Sequence, residues 1–151
     1  IEYDFIFGPA YKGITLATSI SNSLYNAHNI IKPFCFNRKE IKKHGESGIF
    51  VGSQPKGRAL IVDDVISSGK SIIESIDLLS NNNATPSTVL VAFDRMERGA
   101  NEKASLEISS KYSIPVFSII TLDDIIEFLT SEKMMAVELN SMIKYMKIYK
   151  G

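Results

Sequence analysis

Short apolar runs rich in Ile, Val and Phe alternate along the chain with longer segments whose apolar residues recur at helical spacing. Alternating strands and helices of this kind are typical of βαβ units, so the pattern predicts an α/β fold with a mainly parallel twisted sheet flanked by helices. At 151 residues, a single domain over residues 1–151 is expected. The predicted strands are 4–7, 34–36, 58–62, 88–93 and 116–120. The predicted helices are 14–27, 70–80, 101–112 and 122–129, the last capped by Thr121, and an amphipathic tail follows at 134–149.

The segment 37–56 has no regular period and contains several glycines, which predicts a long flexible loop without secondary structure. Loops of this length inside a small domain are usually functional. Four permanent cations and a histidine lie within seven residues at its start: Arg38, Lys39, Lys42, Lys43 and His44. Such a cluster suits a small polyanion with several phosphate charges, and a solvated charged loop is the open alternative.

The composition narrows the classes of function. Lys plus Arg and Asp plus Glu both number 17, so the net charge is zero, which argues against a general nucleic-acid binder. The single Cys35 excludes an intramolecular disulfide and predicts a small core residue. No apolar run approaches the roughly 20 residues of a membrane span, and the acidic start is unlike a signal peptide. These features predict a soluble, cytoplasmic protein with no membrane partner.

The most informative stretch is IVDDVISSGKS at 61–71. Asp63 and Asp64 follow an apolar strand, and ligands of parallel sheets collect beyond the carboxyl ends of strands. The small residues after them lead into a helix whose first N–H groups favour an anion such as phosphate. A Walker A loop is excluded because Asp64 stands where that motif needs glycine. An acidic turn that caps a helix remains the structural alternative.

Two further polar clusters follow predicted strands. GPAYKG at 8–13 is a turn that points backbone amides and Lys12 toward the strand ends. DRMERG at 94–99 places Arg95 where its planar guanidinium can meet a carboxylate, and an ion pair with Asp94 or Glu97 is the structural alternative. Because the carboxyl ends of parallel strands share one edge of a sheet, all four clusters are expected to converge on one crevice.

Four motifs together resemble those of the type I phosphoribosyltransferases, and within that group those of the orotate phosphoribosyltransferases. They are GPAYKG at 8–13, FNRKEIKKHGE at 36–46, IVDDVISSG at 61–69 and DRMERG at 94–99. The resemblance covers nearly the whole chain. It implies transfer of the 5-phosphoribosyl group of phosphoribosyl pyrophosphate to orotate, giving orotidine 5′-monophosphate and pyrophosphate in pyrimidine biosynthesis. It also implies Mg²⁺ as cofactor and a homodimer in which the 38–46 loop is shared across the interface.

The resemblance further implies roles for individual residues. Asp63 and Asp64 would hold the ribose hydroxyls and the water shell of the metal. Tyr11, Lys12 and Arg38 would bind the pyrophosphate, while Lys39, Lys42 and His44 would close over it as a catalytic loop. Arg95 would pair with the orotate carboxylate. The substrate-binding turn would comprise Val65, Ile66, Ser67, Ser68, Gly69, Lys70 and Ser71, with Ser67 near the pyrimidine and the 5-phosphate held by residues 67–71.

The sequence differs from the family pattern in two places, and each difference leads to an expectation. Family members usually have several dozen residues before the first strand, and because this sequence begins at that strand, the N-terminal hood is expected to be absent from it. The family usually has Ala-Gly-Thr where this chain has Ser68, Gly69 and Lys70, so an ammonium is expected to replace a hydroxyl in the phosphate cradle. The alternatives are a non-catalytic sensor of phosphoribosyl pyrophosphate and a purine phosphoribosyltransferase, which Arg95 and the basic loop disfavour.

Overall fold

The computed structural model describes residues 1–40 and 48–151. Its strands form one six-stranded sheet in the order β3-β2-β1-β4-β5-β6, in which β3 is antiparallel to β2 and every other neighbouring pair is parallel. The predicted α/β class with a mainly parallel sheet is confirmed. The strands are β1 (Phe5–Phe7), β2 (Phe34–Asn37), β3 (Phe50–Gly52), β4 (Gly57–Ile66), β5 (Ala84–Asp94) and β6 (Val116–Thr121). The helices are α1 (Lys12–His28), α2 (Lys70–Ser80), α3 (Ala104–Tyr112), α4 (Leu122–Ser131) and α5 (Ala136–Tyr149).

Helices cover both faces of the sheet, as expected when strands are apolar on both sides. On one face α1 packs its Ala17 and neighbouring apolar residues against Leu60 and Val62 of β4. On the other face α2 and α3 bury Ile76 and Ile108 in a larger core. Among the described helices, none has both the length and the apolar content that crossing a bilayer requires.

Cys35 lies in the larger core with no solvent exposure, which confirms its prediction as a core residue. Burial raises the pKa of the Cys35 thiol to about 12. The thiol therefore stays protonated at neutral pH, and protonated thiols are poor nucleophiles. Cys35 fills space and carries no chemistry of the site.

Two sequence expectations were wrong in detail. Residues 50–52 form the edge strand β3, although segment 37–56 was expected to hold no regular element; Phe50 packs its ring against Phe7, with ring centroids 6.0 Å apart. Tertiary packing therefore creates a strand too short to leave a periodic signal. Strand β4 continues to Ile66, so Asp63 and Asp64 lie within it and not in a turn after it, because β5 keeps pairing along its whole length.

The boundaries of two other elements also shift. Strand β5 begins at Ala84, four residues before the predicted start, because its first residues pair with the start of β4. Helix α3 begins at Ala104 and not at Asn101. The amides of residues 100–102 instead donate hydrogen bonds to the Glu107 carboxylate, and these bonds hold its pKa below the ordinary value. The predicted cap of α4 is confirmed, since Thr121 and Asp124 form a reciprocal capping box.

The core position Ile61 offers a direct test of this packing. Ile61 has no solvent exposure in the centre of β4, so Ile61→Ala is expected to lower the free energy of unfolding by about 2–5 kcal/mol. Ile119 is a matched control because it is also a strand isoleucine but is 69% exposed, and Ile119→Ala should cost less than about 1 kcal/mol. Urea unfolding of both variants measures the difference, and equal losses would contradict the assigned core.

Candidate active site

The carboxyl ends of β1, β2, β4 and β5 lie along one edge of the sheet, and the four polar clusters lie at or directly after these ends. Numbered in chain order, the first cluster is 8–13, the second begins at 36, the third is 61–69 and the fourth is 94–99. Hydrogen bonds join neighbouring clusters. The amide of Ala10 donates to Asn37 Oδ1 at 2.9 Å, and the amide of Arg95 donates to the Ile66 carbonyl at 3.1 Å. The Lys12 ammonium lies 2.7 Å from Asp64 Oδ2. The described parts of the first three clusters therefore meet at one site. The fourth cluster adjoins that site through the Arg95 backbone, while the Arg95 side chain lines a smaller pocket together with Tyr145.

The carboxylate pair is asymmetric. Asp63 is buried, accepts the Asp64 amide at 2.9 Å and accepts the Ser71 hydroxyl at 3.1 Å. Burial raises the pKa of Asp63, and the neighbouring charge of Asp64 adds to that rise. Partial burial alone would raise the pKa of Asp64 as well, but the hydrogen bond and charge of Lys12 outweigh it and hold that pKa below its ordinary value. The pair thus presents one well-ionised carboxylate, Asp64, toward solvent.

The turn after β1 depends on two glycines in close contact. A Cβ on Gly8 would lie 2.0 Å from the Gly13 carbonyl oxygen, and a Cβ on Gly13 would lie 2.6 Å from the Pro9 ring. Both distances are far shorter than real Cβ contacts, so neither position accepts a side chain without rearrangement. The tight turn brings Lys12 to Asp64 and leaves the Tyr11 side chain 70% exposed beside it. The Ala10–Tyr11 peptide bond is cis.

The turn between β4 and α2 has the form of an anion-binding site. Gly69 is the N-cap of α2 in the left-handed conformation, with φ of 77°, and no side chain caps the first N–H groups of the helix. Such N–H groups and the helix dipole favour an anion. The left-handed backbone at Gly69 disfavours any other residue, and a Cβ there would also displace the Ile108 Cδ1 atom of α3, 2.5 Å away.

An open cleft of about 680 Å³ lies over this turn, and we call it the strand-end cleft. Ala10, Asn37, Lys39 and the 65–71 segment line it. Asp63 adjoins the cleft through its hydrogen bond with Ser71. Lys70 extends from the same segment, but its side chain is 82% exposed and its ammonium lies 3.9 Å from Glu74. The structure therefore does not place the Lys70 ammonium in a cradle with the backbone amides.

The start of the basic loop contributes Lys39 to the lining of the cleft, and Arg38 precedes it in the chain. The Lys39 ammonium lies 5.5 Å from the centre of the Tyr11 ring, which joins the second cluster to the first. Within the described part of the chain, Nε of Arg38 is buried and has no hydrogen-bond partner. Buried donors of this kind normally have an acceptor. The predicted catalytic residues Lys42 and His44 lie outside the described residues.

In the fourth cluster, the Arg95 guanidinium already contacts other side chains of the protein. Arg95 Nε lies 3.0 Å from Glu97 Oε1, so the ion pair that the sequence left open does form. Arg95 Nη2 also donates to the Tyr145 hydroxyl, which donates to Glu97. Sequence reasoning missed Tyr145 because it lies in α5, about fifty residues away from Arg95, where its helical pattern gave no sign of a role.

The site offers oxygen ligands for a divalent cation. Among residues 1–40 and 48–151, no group of three or more His, Cys, Asp and Glu side chains forms a ready-made metal cage. Mg²⁺ does not need one, since it keeps several waters and binds through one or two carboxylates together with substrate phosphates. Asp63 and Asp64 provide that donor set beside the anion-binding turn, so the residues present fit a substrate-linked Mg²⁺.

Known proteins match this chain over nearly its whole length. A family model described as the phosphoribosyl transferase domain matches residues 1–134. Orotate phosphoribosyltransferase of Thiobacillus denitrificans is 48% identical over 150 residues, which is 99% of this chain and 70% of that protein. The chain belongs to the orotate phosphoribosyltransferase family.

Two further members of the orotate phosphoribosyltransferase family also match this chain. The enzyme of Nitrosomonas europaea is 50% identical over 151 residues, covering 99% of this chain and 66% of that protein. The crystal structure of the Francisella tularensis enzyme superposes on the whole chain with a TM-score of 0.81 at 32% identity and is covered to 72%. The predicted type I phosphoribosyltransferase fold and the prediction of a phosphoribosyl-transferring enzyme are confirmed, and neither the regulator nor the purine enzyme is favoured.

Proposed function

We propose that this chain transfers the 5-phosphoribosyl group of phosphoribosyl pyrophosphate to a ring nitrogen of orotate, releasing pyrophosphate and forming orotidine 5′-monophosphate. The observation that carries the proposal is the Lys12–Asp64 contact at 2.7 Å, which joins the first and third clusters beside the uncapped start of α2. One edge of the sheet thereby offers acceptors for sugar hydroxyls, donors for a terminal phosphate and cations for a pyrophosphate, which are the three parts of the sugar donor.

The 5-phosphate fits the turn at 67–71. The N–H groups of Ser68, Gly69 and Lys70 precede or open α2, where a bound anion meets unsatisfied donors and the positive end of the helix dipole. The serine hydroxyls of the turn add donors, although Ser71 already donates to Asp63. Through that hydrogen bond, Ser71 connects the phosphate-binding turn to the carboxylate pair.

The carboxylates suit the ribose. Asp64 is held ionised by Lys12, and an ionised carboxylate accepts strong hydrogen bonds from hydroxyl groups. Asp63 is fixed by two hydrogen bonds and its position is therefore rigid. A bound Mg²⁺ would be held by Asp63 and Asp64, in part through water, and would supply positive charge beside the departing pyrophosphate.

The pyrophosphate would meet the cations of the first two clusters. Lys39 lies over the ring of Tyr11, the residue before Lys12, and the buried Nε of Arg38 has no hydrogen-bond acceptor among the described residues. Tyr11 is exposed between Lys12 and Lys39 and would add its hydroxyl. Lys42 and His44, which lie outside the described residues, stay predicted members of the closing loop.

Catalysis under this proposal is mainly electrostatic. As the bond from ribose to pyrophosphate breaks, positive charge builds on the sugar and negative charge on the leaving group. Fixed cations near the leaving group and the ionised Asp64 near the sugar stabilise both charges without reorganisation at the moment of reaction. Closure of the 38–46 loop would exclude water that otherwise captures the sugar cation. We further propose a cytoplasmic homodimer in which this loop reaches the neighbouring subunit, an arrangement supported by the family resemblance.

The activity is tested by following the ultraviolet absorbance of orotate in the presence of phosphoribosyl pyrophosphate and Mg²⁺. Orotate should be consumed only when both are present, and a chelator should stop the reaction. Uracil is the matched control substrate because it has the same ring without the carboxylate, and it should react far more slowly. No loss of orotate under any of these conditions, or faster consumption of adenine than of orotate, would overturn the proposal.

A further inference from the structure

Hydrogen bonds, and not a face of buried side chains, hold helix α5 against the fourth cluster. None of its residues is buried, yet its end is tied to the 94–99 segment at several points. The amide of Arg98 donates to the Tyr149 carbonyl at 2.7 Å, and the amide of Gly151 donates to the Met96 carbonyl at 3.1 Å. Lys150 also lies 2.7 Å from Asp123 in α4. These contacts place the last two turns of α5 beside Arg95.

Within this contact, Arg95, Glu97 and Tyr145 form a closed triangle of two hydrogen bonds and one ion pair. Arg95 Nε lies 3.0 Å from Glu97 Oε1 in an ion pair, Arg95 Nη2 donates a hydrogen bond to the Tyr145 hydroxyl, and that hydroxyl donates to Glu97. The Arg95 guanidinium carbon also lies 5.1 Å from the centre of the Tyr145 ring. Burial, together with the Glu97 carboxylate, raises the pKa of the Tyr145 hydroxyl, so it keeps its proton and remains a donor.

The two engaged nitrogens share one edge of the guanidinium. The fork geometry of arginine leaves a second pair of donors, Nη1 and the remaining Nη2 hydrogen, at the end of the side chain. No described residue accepts a hydrogen bond from Nη1, and the Arg95 side chain is 41% exposed. The triangle therefore fixes one edge of the guanidinium and leaves the end-on pair available for a planar carboxylate.

We propose that Tyr145 and Glu97 are positioning residues that set the orientation of Arg95 toward the carboxylate of the nucleobase substrate. The inference rests on the proposed function and deepens it by giving α5 a part in substrate specificity. Arginine has many rotamers, and ordering them on binding lowers affinity. A guanidinium already oriented by two side chains loses less freedom when the carboxylate binds.

Tyr145→Phe tests the inference, since it removes only the hydroxyl and keeps the ring beside Arg95. We expect the KM for orotate to rise about tenfold, while kcat and the KM for phosphoribosyl pyrophosphate change less than twofold. Tyr149→Phe is the matched control: it lies one turn further along α5, its ring lies 4.6 Å from that of Tyr145, and no described residue hydrogen-bonds its hydroxyl. Its kinetic constants should equal those of the wild type.

A second variant separates positioning from general damage. Glu97→Gln removes the charge that pairs with Arg95 Nε. It should also raise the KM for orotate but not that for phosphoribosyl pyrophosphate, with a melting temperature close to that of the wild type. An unchanged orotate KM in Tyr145→Phe, or an equal rise in both KM values, would overturn the positioning role while leaving the activity of the wild type in place. Absence of orotate turnover in the wild-type enzyme would instead overturn the proposed function.

Discussion

Asp64→Asn is expected to lower kcat/KM for phosphoribosyl pyrophosphate by about 10²–10³-fold, the range seen when one preorganised electrostatic contact is removed from an active site. Asparagine keeps the shape of the side chain but removes the negative charge that strengthens its hydrogen bonds with the ribose hydroxyls. It also leaves the Lys12 ammonium, now 2.7 Å from a carboxylate oxygen, beside a neutral amide. The loss should appear as reduced turnover in the orotate absorbance assay at saturating orotate.

Asp77 provides the control for Asp64. It is exposed on α2, and its side chain makes no hydrogen bond to any residue in the described ranges. Asp77→Asn makes the same chemical change away from the cleft, so kcat/KM should stay within twofold of the wild type. If Asp64→Asn were as active as Asp77→Asn, the carboxylate pair would have no part in binding the sugar donor.

Arg95→Ala is expected to raise the KM for orotate by about 10²-fold while changing the KM for phosphoribosyl pyrophosphate by less than about threefold. A charged, two-point hydrogen bond to a carboxylate contributes about 1.5–3 kcal/mol, and each 1.4 kcal/mol corresponds to a factor of ten. Alanine removes both donors and leaves Glu97 without the cation that now lies 3.0 Å from its carboxylate. Initial rates with each substrate varied in turn give the two KM values.

Arg98 is the control for Arg95, since it belongs to the same segment and is exposed. Alanine keeps its backbone hydrogen bond to Tyr149 and removes one exposed hydrogen bond of 3.3 Å from Nη2 to the Lys150 carbonyl. Arg98→Ala also lowers the charge of the segment by one. A similar rise in the orotate KM for both variants would mean that the segment acts through its overall charge. Selective loss in Arg95→Ala would support direct contact with the orotate carboxylate.

Much of the fold could be predicted because the relevant signals are local. The apolar run before Asp63 predicts β4, and the helical spacing of Ile72, Ile76 and Leu79 predicts α2 with the bounds that the structure gives. The convergence of the polar clusters then follows from a general property of parallel sheets. Strand β3 could not be predicted in this way, because three residues carry no period and Phe50 is held in place by Phe7 from another strand.

The candidate site was only partly predictable for the same physical reason. Sequence motifs place Lys12 and Asp64 at strand ends, but their contact spans 52 positions and depends on the tight turn at Gly8 and Gly13. The partnership of Arg95 with Tyr145 is of the same kind, since it joins residues 50 positions apart through packing of α5. Such pairings are decided by tertiary structure, so periodicity and motif spacing give no information about them.

The central claim is that the carboxylates of β4, the turn at 67–71 and the cations of the first two clusters bind one sugar donor. A crystal structure of the enzyme with phosphoribosyl pyrophosphate and Mg²⁺ tests it most directly. The claim predicts 5-phosphate oxygens about 3 Å from backbone nitrogens of the turn and ribose hydroxyls within hydrogen-bond distance of Asp63 or Asp64. A sugar donor bound away from both carboxylates, with its phosphate outside the turn, would contradict it.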